Sequence, residues 1–265
     1  MLVAVAFALM TWASYASDRV TALYEELFTV YQSKVRHQQM IRLSESVSRY
    51  VSEMGSYPVS LAALVVTPGF EHVAGLLNNW QGYGLSPTLN DANWAYRRVV
   101  LFTNDPTTGT STVNYLAANA CGSGGYDTAL SWCGTKTSMW YRQEGRDSFN
   151  DLIVNERARV NRLSQKFANY YNAQAAYPSK DEANVALAAD SITGLATLVG
   201  YAGTATNCSG QYQYQGIPID CSDMFNSWGL QVGYQFVDAS HIILVSETRI
   251  VNATGATIIV AVDRT

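Results

Sequence analysis

Charge is scarce in this chain. Lys, Arg, Asp and Glu make up 14% of its 265 residues, against roughly 25% in ordinary soluble domains, so much of the surface falls to Ser, Thr, Asn, Gln, Gly and Tyr. The net charge of −4 and a pI near 5.4 provide no general positive field for a phosphate backbone, which argues against bulk nucleic-acid binding. Histidine is scarcer still, with only His37, His72 and His241. A G-x-S-x-G nucleophile turn is absent, and His241 beside Asp238 and Ser240 reads as a hairpin turn rather than a triad. Gly122-Ser123-Gly124-Gly125 lacks the Lys and Ser/Thr of a phosphate loop, and Asn104-Asp105 lacks calcium-loop spacing. The chain is therefore expected to be non-enzymatic, with neither metal nor cofactor.

Cysteine is limited to four residues, Cys121, Cys133, Cys208 and Cys221. None has the two-residue gap of a zinc knuckle or a thioredoxin site. Taken in order they form two local pairs, Cys121 with Cys133 and Cys208 with Cys221. Each would close a Gly-, Ser- and Tyr-rich loop, restraining it by about 3 kcal/mol, and would place the protein in an oxidising compartment. The alternative is four buried thiols.

Proline and glycine are missing from the first 54 residues. Nothing there breaks a helix, and Leu23, Leu27, Val30, Tyr31, Met40, Leu43, Val47 and Val51 recur at helical spacing. An uninterrupted helix over 1–54 would be about 80 Å long, more than one small domain can bury. Its first part, 1–17, has no charged side chain and ends in Trp12, Tyr15 and then Asp18-Arg19, the pattern of a membrane segment. A cleaved secretory signal is the rival, with Ser14-Tyr15-Ala16 as its small-x-small site. Gly55 and Pro58 end the helix.

The chain then repeats itself. A shift of 120 positions sets Arg42-Leu43-Ser44 on Arg162-Leu163-Ser164, Tyr50 on Tyr170, and Tyr57-Pro58 on Tyr177-Pro178. The second helix is expected over 148–175. Strands are expected over 95–103 and 113–118 in the first half, and over 230–237, 241–250 and 256–262 in the second, with hairpin spacings that make the sheets antiparallel. Trp94 and Trp228 each precede the first of those strands.

A long helix with an apolar start, the break Arg42 to Leu64 (RLSESVSRYVSEMGSYPVSLAAL), and the sheet entry Asn226-Ser227-Trp228-Gly229 together resemble the type IV pilin and pseudopilin family. The resemblance implies an α+β fold in which the N-terminal helix, 1–54, is followed by two pilin-like heads, 55–145 and 146–265, each a helix packed on an antiparallel sheet. It implies a structural subunit of a bacterial filament, major or minor, held in the inner membrane before assembly and extracellular afterwards, with heads for surface contact or adhesion. Its partners would be copies of itself or related pilins. Met1, Leu2, Val3, Val5, Phe7, Leu9, Met10 and Trp12 would form the membrane and filament packing surface. If Met1 is the first residue of the mature chain, Val5 stands where the family carries an acidic residue, and this subunit then lacks that partner for a neighbour's N-terminal ammonium. The alternative is a membrane-tethered periplasmic or surface module that never polymerises.

Trp94, Tyr96, Arg97 and Arg98 form a compact basic-aromatic cluster. They are a candidate ligand contact, through stacking and phosphate pairing, although strand alternation sends Arg97 and Arg98 to opposite faces.

Overall fold

The structure, a computed structural model, describes the backbone of residues 2–90, 93–103 and 139–265; side chains are described over the same ranges except for residues 2–14 and 16. Helix α1 runs unbroken over Leu2–Met54, as the absence of Gly and Pro dictates. It stops at Gly55, whose φ of 68° lets its N–H donate to Val51 O at 2.8 Å. A Cβ at Gly55 would sit 2.7 Å from the Arg249 carbonyl oxygen. Both handedness and space therefore demand glycine there.

The chain forms two compact units, Met1–Glu45 and Ser46–Thr265. In the first, every described side chain from Tyr15 to Gln38 is exposed, while Met40 and Leu43 are buried.

The second unit begins with the end of α1, where Val47 and Val51 are buried and Ser48 Oγ accepts from Gln143 Nε2 at 2.7 Å. Helix α2 (Leu61–Val65) follows, its first turn capped by Ser60 Oγ, which accepts from Ala63 N. A 3₁₀ turn over Glu71–Leu76 leads to β1 (Gln81–Leu85) and to the short β2 (Leu89–Asn90) and β3 (Ala95–Tyr96). Strands β4 (Arg98–Thr103) and β5 (Trp140–Glu144) complete an antiparallel sheet ordered β1-β4-β5. Strand β4 is central, and its Val99, Val100, Leu101 and Phe102 are all buried.

Strand β5 passes directly into α3 (Gly145–Gln174). Phe149, Ile153, Glu156, Val160, Leu163 and Phe167 are buried, a 4-3-4-3-4 spacing that makes one inward face. The chain continues through β6 (Ile192–Gly194), α4 (Leu195–Leu198), the hairpin β7 (Gln211–Tyr214) and β8 (Ile217–Asp220), and α5 (Cys221–Met224). Strands β9 (Gly233–Asp238), β10 (His241–Val251) and β11 (Thr257–Arg264) finish a second antiparallel sheet, ordered β11-β10-β9-β6. Helix α3 packs on β10 and β11.

The α+β class, the long first helix and the antiparallel sheets match the sequence reading. Several details differ. Helix α3 begins at Gly145 rather than 148, because β5 leads into it with no loop. The strand expected over 95–103 is split at Arg97, and the one expected from 230 starts at Gly233. The strand expected over 113–118 lies outside the described residues. Strand β1 was missed because its sequence, Gln-Gly-Tyr-Gly-Leu, carries two glycines that read as turn. It is Trp80, not Trp94, that stands just ahead of the first sheet's opening strand; Trp94 precedes β3 of the small ladder.

Candidate assembly surface and polar clusters

Helix α1 carries most of the described exposed apolar surface. Nine of the seventeen large hydrophobic side chains exposed among the described residues lie between Tyr15 and Val35. At 3.6 residues per turn, Val20, Leu23, Tyr24, Leu27, Phe28, Val30, Tyr31 and Val35 fall within an arc of about 160°. Met40 and Leu43 project from the opposite side of the same helix by the same arithmetic, so the apolar face reverses near residue 36. The stripe is therefore not a continuation of the face that Met40 and Leu43 bury. Across it, Tyr24 is 71% exposed and Leu27 66%. Polar groups along the rest of the helix are satisfied locally: Arg19 Nη2 donates to Tyr15 Oη at 2.8 Å, and Thr29 Oγ1 to Glu25 O at 2.8 Å.

The side chains of Met1, Leu2, Val3, Val5, Phe7, Leu9, Met10 and Trp12 lie outside the described residues; Met1 has no described backbone either, whereas the rest sit on helical backbone. Among the described residues no helix is long and apolar enough to cross a membrane. The sequence reading assigned assembly to 1–17 and overlooked the stripe that follows. The signal was legible in principle, as the change of helical phase between Val35 and Met40.

The basic-aromatic cluster is dispersed by the sheet. Arg98 is 6% exposed, and its Nε donates to both oxygens of Glu144, at 2.8 and 2.7 Å. Arg142 Nη2 reaches the same carboxylate at 3.0 Å, and the Arg98 guanidinium stands 6.0 Å from the Tyr96 ring. Arg97 lies in the break between β3 and β4 and offers its carbonyl to Gly145 N at 3.0 Å. Arg98 is thus spent holding β4 to β5.

A second polar cluster lies under the second sheet. Glu156, 1% exposed, pairs with Arg159 one turn along α3 and accepts from Ser246 Oγ. Arg159 also donates to the carbonyls of Ser222 and Phe225. Asn226 donates to Ser246 Oγ at 3.2 Å and accepts from the N–H groups of Trp228 and Leu230 at 3.0 and 2.9 Å. The Asn226-Ser227-Trp228-Gly229 entry is thus built around one buried carboxamide using both ends. These contacts tie α3 to the entry of the second sheet.

Cys208 and Cys221 form a disulfide with Cα atoms 5.7 Å apart; Cys121 and Cys133 lie outside the described residues. His241 Nε2 stands 2.8 Å from Asp263 Oδ1, and Asp238 Oδ1 accepts from Ser240 N in the turn joining β9 to β10. No group of three or more His, Cys, Asp or Glu side chains is placed to hold a metal among the described residues.

The chain matches no family model, no curated protein and no solved structure. A functional reading therefore rests on the chain's own residues.

Proposed function

We propose that this chain is a tandem pilin-like structural subunit that assembles into a bacterial filament through its N-terminal helix. The apolar stripe of α1 is the observation that carries the reading. A solvated helix that keeps leucine, phenylalanine and tyrosine together on one side, away from the side it buries itself, has the surface of an assembly element. Burial of each large side chain contributes about 1.5 to 3 kcal/mol, so a few neighbouring helices supply strong cohesion without covalent bonds. In this reading the uncharged segment 1–17 holds the subunit in the inner membrane before assembly and enters the filament core afterwards, and the heads face outward for surface contact or adhesion.

The tandem part is supported by matched details in the two halves, of which the helix ends and the Tyr-Pro pairs lie 120 positions apart. The α1 helix ends at Gly55 and α3 at Ala175, both left-handed, with their N–H groups bonded to Val51 O and Tyr171 O. Tyr57-Pro58 and Tyr177-Pro178 follow, and each tyrosine is 5% exposed. The Pro58 carbonyl accepts from Tyr83 Oη of β1, and the Pro178 carbonyl from Tyr234 Oη of β9. Each half then has a short helix, Leu-Ala-Ala-Leu-Val at Leu61–Val65 and Leu-Ala-Thr-Leu at Leu195–Leu198. Strands β1-β4-β5 and β9-β10-β11 share one meander order.

The test is fibre yield. Sheared surface fractions and electron micrographs of cells expressing the wild type should contain fibres. A Leu23→Ala/Leu27→Ala variant should insert and fold normally yet give few or fragile fibres, since such truncations in a packed core typically cost a few kcal/mol. Wild-type-like fibres from that variant would remove the stripe from assembly. Protein confined to membranes even in the wild type would favour the tethered, non-polymerising module.

A further inference from the structure

The β7–β8 hairpin stands against the C-terminal half of α3 and leaves a groove of about 390 Å³ between them. Lys166, Asn169, Tyr170 and Gln174 line it from the helix, and Gln215 and Pro218 from the hairpin. Its wall is aromatic, carboxamide and apolar, with a single charge. That charge is already matched: Lys166 Nζ lies 2.6 Å from Asp223 Oδ2 and 3.5 Å from Asp220 Oδ2. An anion would have to compete with two carboxylates for one ammonium, and among the described residues no carboxylate lines the groove to receive a cation. The groove thus favours a neutral, polar ligand.

The hydrogen-bonding groups narrow the class. Tyr170 Oη and the Gln174 carboxamide make no hydrogen bond within the described protein. Gln215 donates from Nε2 to Asp181 O at 3.2 Å and from its backbone N to Glu182 Oε1 at 3.1 Å, which orients its side chain without using the carboxamide oxygen. A carboxamide offers donor and acceptor side by side, matching neighbouring hydroxyls on a ring, and an aromatic face suits that ring's C–H side. On the tandem-scaffold reading above, Tyr170 is the counterpart of Tyr50. The Tyr50 ring is met edge-on by Phe70 at 5.5 Å between centroids, whereas among the described residues no aromatic ring pairs with Tyr170. Both tyrosines are half-buried, but among the described residues only Tyr50 has its ring edge taken up by another aromatic.

The hairpin is also held in place beforehand. The Cys208–Cys221 disulfide ties its two ends, Asp220 caps α5 just beyond it, and Lys166 fastens that end to α3. Gln215 and Gly216 turn the chain with φ of 50° and 86°, the left-handed pair that suits a two-residue hairpin. A site rigid before binding loses less on ordering, which a weak, exposed ligand contact needs.

From these observations we infer that the groove between α3 and the β7–β8 hairpin binds a neutral sugar ring, with Tyr170 as the stacking platform and Gln174 and Gln215 as hydroxyl partners. The experiment is saturation-transfer NMR with calorimetry on the full chain. The probes are methyl glycosides of glucose, galactose and N-acetylglucosamine, with N-acetylneuraminic acid as the anionic comparison. At least one neutral glycoside should bind, with transfer strongest at its ring C–H protons. Tyr170→Ala should weaken that binding by about tenfold or more, Gln174→Ala by less, and Asp151→Ala, exposed near the far end of α3, not at all. Circular dichroism confirms that each variant folds. Absence of binding by all three neutral glycosides overturns the inference, as does unchanged affinity in Tyr170→Ala or binding of the acidic sugar alone. Fibre yield is recorded on the same variants: sugar binding by a wild type that forms no fibres would leave the groove standing and remove the filament, and the reverse result would do the opposite.

Discussion

Ala175 shows how much a single backbone angle decides. It closes α3 with φ of 58°, in the place where α1 has Gly55. A side chain in the left-handed region costs roughly 1 kcal/mol, and Ala175 is exposed, so nothing packs on its methyl group to compensate. Ala175→Gly should therefore stabilise the protein by about 0.5 to 1 kcal/mol, read as a higher urea midpoint with unchanged slope. No gain would mean that the unfolded-state entropy of glycine cancels the relief. Gly55 cannot be exchanged in the opposite sense, because a methyl group there collides with Arg249 as well as with its own backbone. The αL stop after α1 was legible in the sequence from Gly55 and Pro58. The stop at Ala175 was legible too, from Pro178 and the 120-residue repeat; its left-handed angle was not, since alanine carries no such signal.

Among the elements, the β7–β8 hairpin depends most on a covalent tie. Two short strands are marginal alone in water, and this pair lies outside both larger sheets. The disulfide spans a sequence separation of 13, for which loop-closure entropy gives about 3 kcal/mol. A Cys208→Ser/Cys221→Ser variant should lose about that much global stability, with hydrogen-exchange protection falling first in residues 211–220. Loss of protection spread evenly over β9 to β11 instead would show that the tie supports the whole sheet. The Cys208–Cys221 pairing was readable from the order and closeness of the cysteines. The hairpin was not, because Gln-Tyr-Gln-Tyr and Ile-Pro-Ile-Asp are too short and too polar to stand out, and Gln-Gly is a weak turn signal. The groove it forms with α3 was invisible for the same reason.

At the level of the whole molecule, buried tyrosines set an alkaline limit. Burial pushes the Tyr57 hydroxyl up to about 12, with the Ser148 contact pulling the other way and the nearby Glu144 and Asp147 adding to the rise. Tyr214 and Tyr234 are likewise raised by burial. In the unfolded chain these phenols ionise near pH 10, while in the folded chain they hold their protons to higher pH. Above pH 10 the unfolded state therefore binds fewer protons than the native one, and stability falls as pH rises. The protein should be stable up to about pH 10 and unfold progressively between about pH 10 and 12, followed by circular dichroism. Tyr57→Phe should flatten that decline, although it gives up the 3.5 Å contact with Ser148. An unfolding midpoint insensitive to pH over this range would show that the phenols ionise equally in both states.

What the sequence determined by itself was periodic or local. The unbroken first helix follows from the absence of Gly and Pro, the inward face of α3 from its 4-3 spacing, and the main strands of the second sheet from β-branched runs between turn residues. The recurrence of Tyr-Pro after each helix was equally plain. What tertiary structure decided was which groups meet. Arg98 is an ordinary basic residue until β5 brings Glu144 against it. Glu156 reads as a surface acid until Arg159 and Ser246 enclose it. Tyr83 and Tyr234 are two of seventeen tyrosines until each one reaches a proline carbonyl. The apolar stripe on α1 belongs to both levels: its phase is written in the sequence, but its exposure is seen only in the structure, where Leu27 is 66% exposed. Apart from Glu156 with Arg159, one turn apart on α3, these pairings join residues 25 to 90 positions apart, and no window of sequence short enough to show periodicity contains both partners.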